Sequence, residues 1–175
     1  MIPTAALYRI VKHFIPDIIE SYEDDYKKRL KVQKIIYLFG QFRNENYYEF
    51  SWYLAGPYSS SLTQQCYKSL TKTDSASIAQ WENLNLSEKT SRAVEDIKEL
   101  IARTKEILFG QLPDEKIYEL VASIWYIAKN NSFPSDRLKK VQNELINGKP
   151  EFSGLSKIDE IINLTLDYIE HRIAA

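Results

Sequence analysis

Apolar residues recur at three- and four-residue spacing along nearly the whole chain, and one stretch, FSWYLAGPYSSSL at residues 50–62, abandons that spacing. The dominant pattern builds amphipathic helices that bury one stripe each. The exception demands a strand and a sharp turn within a helical assembly. Tyr48, Phe50, Trp52 and Leu54 alternate with Glu49, Ser51, Tyr53 and Ala55, the period of a half-buried strand. Tyr48, Phe50 and Trp52 are expected inside, leaving Tyr47, Tyr53 and Tyr58 for the other face. Gly56-Pro57 is expected to end the strand, because glycine takes unusual backbone angles and proline cannot donate to a continuing ladder. Ser59, Ser60 and Ser61 are then N-cap candidates for a helix over residues 60–71, with Leu62, Cys66 and Leu70 on one face.

Upstream, Leu7, Ile10, Val11, Phe14, Ile18, Ile19 and Tyr22 form one helical stripe, which Pro16 must kink or split. A second helix is predicted over residues 28–43, with Leu30, Val32, Ile35, Ile36, Phe39 and Phe42 inward and Asn44 and Asn46 as its stop. Residues 72–86 are polar, and the short alternations IAQW and LNL predict two weak strands joined near Glu82-Asn83. Four helices follow. The first runs from a Ser87 cap to Gly110, the second from Pro113-Asp114 to two asparagines, the third from Pro134–Asp136 to Gly148, and the last from a Ser156 cap onward.

The fold class expected is therefore mainly α (α+β): a helical domain with a small β element and a C-terminal helical bundle. The order strand, turn, helix, two short strands, helix also suits a winged helix, with residues 60–71 as recognition helix and 77–86 as wing. At 175 residues one domain, 1–175, is expected, with 72–86 as a sub-boundary between a helix–strand–helix part and a four-helix part.

Hydrophobic residues make up 44% and charged residues 27%, an ordinary globular composition. No apolar run approaches the ~20 residues of a bilayer span. The first twenty residues lack a basic n-region and read as a helix rather than a secretion signal. The single cysteine, Cys66, excludes an internal disulfide, and the cytoplasm is the expected compartment. With 23 basic against 24 acidic side chains, nucleic-acid binding would need a concentrated positive face. The densest basic group is Lys27, Lys28, Arg29, Lys31 and Lys34, directly preceded by Glu23, Asp24 and Asp25, the mixture of a solvated helix face.

The chemical inventory is thin. His13 and His171 lie at opposite ends of the chain and neither has a ligand at zinc spacing. Five glycines, never clustered, leave no phosphate-cradling loop. Cys66 sits on an apolar helix face, as a structural thiol does. Pro113-Asp114-Glu115 is a helix start rather than a nuclease core, and the adjacent acids Glu95-Asp96 and Asp159-Glu160 diverge by ~100° around their helices. No catalytic residue, metal ligand or cofactor site is expected. Aromatics offer more: six fall between Tyr47 and Tyr58, and tyrosine buries contact area at low entropic cost.

In KVQKIIYLFGQF followed by YEFSWYLAGPYSSSL, the set Lys31, Gln33, Lys34, Tyr37, Phe50, Gly56, Pro57, Tyr58, Ser59 and Leu62 resembles the signature region of the Panacea antitoxin-like proteins and their SocA-like relatives. It is most similar to a group of archaeal and bacterial relatives carrying Gly-Pro-Tyr-Ser, with Val32 here in place of a usual leucine. ELVASIWYIAK and NGKPEFSGLSKIDEII resemble that group's C-terminal helices and the Lys-Pro-x-Phe-Ser junction between them. The resemblance implies a compact helical domain without a catalytic site, which contacts a toxin directly or hands it to a protease. On that reading Tyr53, Gly56, Pro57, Tyr58 and Ser59 form the partner contact, with Lys27, Lys28, Arg29, Lys31 and Lys34 as a basic contact. A winged-helix DNA-binding regulator and a protein with an unseen small-molecule site are the alternatives, and a homodimer is left open. The competing reading of Gly56, Pro57 and Ser59 is that they turn the chain and cap a helix.

Overall fold

The computed structural model describes residues 1–132 and 135–173, with the backbone alone for 172–173. By its internal contacts the chain divides into two compact units, Met1–Ile97 and Lys98–Ala175.

The first unit is organised around a helix whose middle turns are buried on every side. α3 (Tyr26–Arg43) buries every residue from Val32 to Gly40, including the polar Gln33 and Lys34. Burial on all faces marks a core helix rather than a surface one; Leu30 and Phe42, expected inward, are half-buried. The Asp25 carboxylate starts α3 by accepting from the amides of Lys27 and Lys28, and Asn44 stops it at φ 51°. Gly40 is required by close approach, since a Cβ there would lie 2.9 Å from the Glu45 carbonyl oxygen. The expected break at Pro16 falls between α1 (Thr4–Lys12) and the short α2 (Ile18–Ser21). α1 packs against α3 and against α4 (Ser60–Leu70).

Between α3 and α4 lies a two-stranded antiparallel hairpin, β1 (Ser51–Tyr53) and β2 (Gly56–Tyr58), pairing Ser51 with Tyr58, Trp52 with Pro57 and Tyr53 with Gly56. Gly56-Pro57 thus opens a returning strand instead of ending a longer one. The turn is Leu54-Ala55, and Gly56 leaves it at φ 81°, a conformation costly for any residue with a Cβ. Of the three aromatics expected inside, Tyr48 is buried, while Phe50 and Trp52 are half-buried. Two strands of three residues cannot enclose a full sheet face, so Phe50 relies on edge contacts with Tyr37 and Tyr48.

The strands expected over 72–86 are not there. Residues Ser75–Glu82 form α5, capped by the Asp74 carboxylate on the Ser77 amide. Ile78 and Trp81, which look like an alternation, stand three apart on one helical face. α5 packs on α1, and Trp81 and Tyr8 hold their ring centroids 5.6 Å apart. The wing of the winged-helix expectation, residues 77–86, is thereby lost. The division between units falls farther on, within α6 (Glu88–Leu108).

In the second unit α7 (Asp114–Asn130) plays the part of α3, burying an unbroken run from Ile117 to Trp125. It packs against α8 (Arg137–Gly148) and α9 (Ile158–Ile173). The Glu119 carboxylate, at 0% exposure, accepts from the buried Lys149 ammonium at 2.9 Å and from Lys116 at 2.8 Å. That pair ties α7 to the 3-10 turn Pro150–Phe152, and so links the two C-terminal sequence blocks, ELVASIW and KPEF. Ser156, expected to cap α9, instead bonds Gln111, and the helix begins at Ile158. α8 begins at Arg137, and the expected start at Pro134 lies outside the described residues.

Candidate functional site

The residues of the opening stretch are held by the polar side chains of α3. Gln33 reads Ser59 as a neighbouring strand would: its Oε1 accepts from the Ser59 amide at 2.9 Å, and its Nε2 donates to the Ser59 carbonyl at 3.1 Å. Nε2 also donates to the Thr63 hydroxyl at 2.8 Å. Lys34, 1% exposed, donates to the Pro57 carbonyl at 2.6 Å. The Ser59 hydroxyl caps α4 on the Leu62 amide. Residues 26 positions apart in sequence are thus locked together. This lock supplies a physical reason for Gln33, Lys34, Pro57 and Ser59 to occur as a set.

Locking the hairpin over α3 leaves a cavity of about 330 Å³ beside it. Tyr53, Leu54 and Ala55 line its lip, the buried Gln33 and Lys34 its interior, and Tyr22, Tyr26, Arg29, Tyr58, Thr63 and Tyr67 complete the lining. Three lining residues project strongly into solvent, Tyr26 at 64%, Tyr53 at 58% and Leu54 at 84%. The Tyr53 and Tyr58 rings lie 5.5 Å apart across the hairpin, and the Tyr58 hydroxyl accepts from Thr63.

The five residues expected at the partner contact therefore separate. Tyr53, Gly56 and Tyr58 line the cavity, whereas the buried Pro57 and Ser59 stand behind it and hold its shape. The basic residues separate too. Arg29 and Lys34 line the cavity; Lys28 pairs with Asp17 at 2.5 Å, Lys31 donates to the Phe14 carbonyl, and Lys27 is exposed. They point around the helix and do not make one positive face. Sequence reasoning missed Tyr22, Tyr26, Leu54 and Tyr67 as site residues. Only an apolar side chain at a hairpin tip, Leu54, carried a local signal; the others meet through tertiary packing.

Arg29 donates through its NH1 group to the carbonyls of Tyr22 and Glu23, and its guanidinium lies 5.8 Å from the Tyr26 ring centroid. Beneath, burial raises the Tyr22 phenol far above its ordinary range. Burial likewise pushes the Cys66 thiol up to about 12, which keeps it a neutral core group. Among the described residues no three His, Cys, Asp or Glu side chains converge to hold a metal, and no helix is long and apolar enough to cross a membrane. His, Asp and Glu are all missing from the lining of the tyrosine cavity. Compared with known protein families, curated proteins and solved structures, the chain matches none.

Proposed function

We propose that this protein is a non-enzymatic protein-binding module, antitoxin-like or protease-adaptor-like, acting in the cytoplasm in a prokaryotic toxin–antitoxin or mobile-element defence setting. The observation that carries the reading is the open cavity walled by tyrosines, with Tyr26, Tyr53 and Leu54 exposed at its rim. Exposed aromatic and apolar side chains around a concavity are what a partner's side chain covers at low entropic cost. The resemblance of the Lys-x-Gln-Lys and Gly-Pro-Tyr-Ser blocks to antitoxin-like proteins supports the same role. The partner is a toxin or a protease.

The test is co-expression with the product of the adjacent gene, followed by co-purification and growth rescue. Tyr53→Ala is expected to weaken association at least tenfold while the melting temperature stays within about 2 °C, as befits an exposed side chain. Tyr58→Ala is expected to weaken both, because its hydroxyl is bonded to Thr63. Co-purification and rescue unaffected by Tyr53→Ala would remove the cavity from the account, and no association at all would remove the protein-binding role.

A further inference from the structure

Resting on that protein-binding reading, we infer what the cavity accepts: an extended acidic segment of the partner, in which a carboxylate neighbours an aromatic or branched apolar side chain. The charge of the lining comes first. It includes the Arg29 guanidinium and no carboxylate, while Lys34, 1% exposed, turns its ammonium to the Pro57 carbonyl. The acidic run just before α3 does not offset Arg29 from inside, since Glu23, Asp24 and Asp25 lie outside the lining. Asp25 is engaged with the amides of Lys27 and Lys28.

Arg29 supplies the directionality. Its hydrogen bonds to protein use NH1 alone, so the donors on Nε and NH2 meet no acceptor among the described residues. The side chain is half-buried, and its guanidinium carbon lies 5.8 Å from the Tyr26 ring centroid. A planar guanidinium presenting two parallel donors matches a carboxylate in bidentate fashion. An apolar occupant would cover those donors without pairing them, and a basic one would meet a like charge.

Size decides the rest. About 330 Å³ lies at the lower end of ligand-site volumes and holds one or two side chains, not a helix. Tyr53 and Leu54 at the lip, and Tyr67 in the lining, offer ring faces and methyl groups to the apolar member of the pair.

The experiment selects random twelve-residue peptides on the intact protein and titrates the enriched ones against wild type, Leu54→Glu and Leu54→Lys. Position 54 is 84% exposed at the lip, so neither variant disturbs the interior. Enriched peptides are expected to carry Asp or Glu beside an aromatic or aliphatic residue. Their affinity should fall roughly fivefold to tenfold in Leu54→Glu, rise in Leu54→Lys, and weaken with salt. The inference is overturned if the selected peptides are neutral or basic, or if both Leu54 variants bind acidic peptides like wild type. A twelve-nucleotide single strand that displaces the peptides, or self-association of the protein through the same lip, overturns it as well. Neutral apolar peptides that lose binding in Tyr53→Ala would sink the acidic preference and leave the protein-binding role standing. Failure of that role is read separately, in the co-expression assay.

Discussion

Gln33 and Lys34 on α3, and Glu119 on α7, share a predicament: each is a polar side chain within a helical run buried on every face. Each is satisfied by a partner distant in sequence, and the cost of removing one partner differs from the cost of removing both. Lys149→Met leaves the Glu119 carboxylate undercompensated in the interior and should cost about 3–5 kcal/mol. The double change Glu119→Leu with Lys149→Met should restore a large part of that, because no buried charge remains. Urea unfolding checks this, and equal midpoints for the single and double variants would contradict it. Burial also sets an alkaline limit. Cys66 and Tyr48 are each pushed up to about 12 by desolvation, from ordinary values of 9.0 and 10.0. Below pH 9 both are neutral folded and unfolded, so their contribution to stability is intact. Above it the unfolded chain ionises first, and stability is lost as pH climbs from about 9 towards 12. Unfolding midpoints measured from pH 7 to 11 should fall through the upper half of that range; a flat profile would contradict the burial of both groups.

At the level of elements, helices were legible from spacing because three- and four-residue apolar intervals extend over many turns. The end of α3 at Asn44 and the start of α4 at Ser59 were equally plain. Two elements were misread for opposite reasons. α5 is short, and Ile78 and Trp81 fit a strand alternation as easily as a helical i,i+3 pair; Asp74, its N-cap, was the overlooked signal. Gly56-Pro57 reads as a strand end because both residues punctuate chains, yet the pair opens the returning strand of a hairpin whose turn is Leu54-Ala55. Here Pro57 is tolerated because the hairpin is two-stranded, so both of its strands are edges with one neighbour each. Gly40 gives an element-scale test with an unexpected sign. Intrinsic propensity says that Gly→Ala inside a helix stabilises by about 1 kcal/mol. The 2.9 Å approach of the Glu45 carbonyl says that α3 must shift instead, so Gly40→Ala should lower the melting temperature. Gly154→Ala, with open space around the added methyl, is the control and should be neutral or slightly stabilising. Stabilisation by both changes would show that the α3 terminus yields without cost.

For the molecule as a whole, each unit is built on one helix with a run of residues buried on every side, and the candidate site belongs to the first unit alone. Its ingredients were visible in the sequence as an aromatic cluster and a basic cluster. Their convergence was not, because lining residues from Tyr22 to Tyr67 are gathered by the packing of α2, α3, the hairpin and α4. Nor did sequence separate the residues that build the wall, Pro57 and Ser59, from those that face outward, Tyr53 and Leu54. A binding surface assembled this way predicts where a partner touches. A photoreactive benzophenone side chain introduced at position 54 in the host, and in parallel at the exposed position 109, tests it most directly. The account predicts a discrete protein adduct from position 54, abolished by Tyr53→Ala, and none of that mass from position 109. An identical adduct from both positions, or cross-links from position 54 to nucleic acid alone, would contradict it.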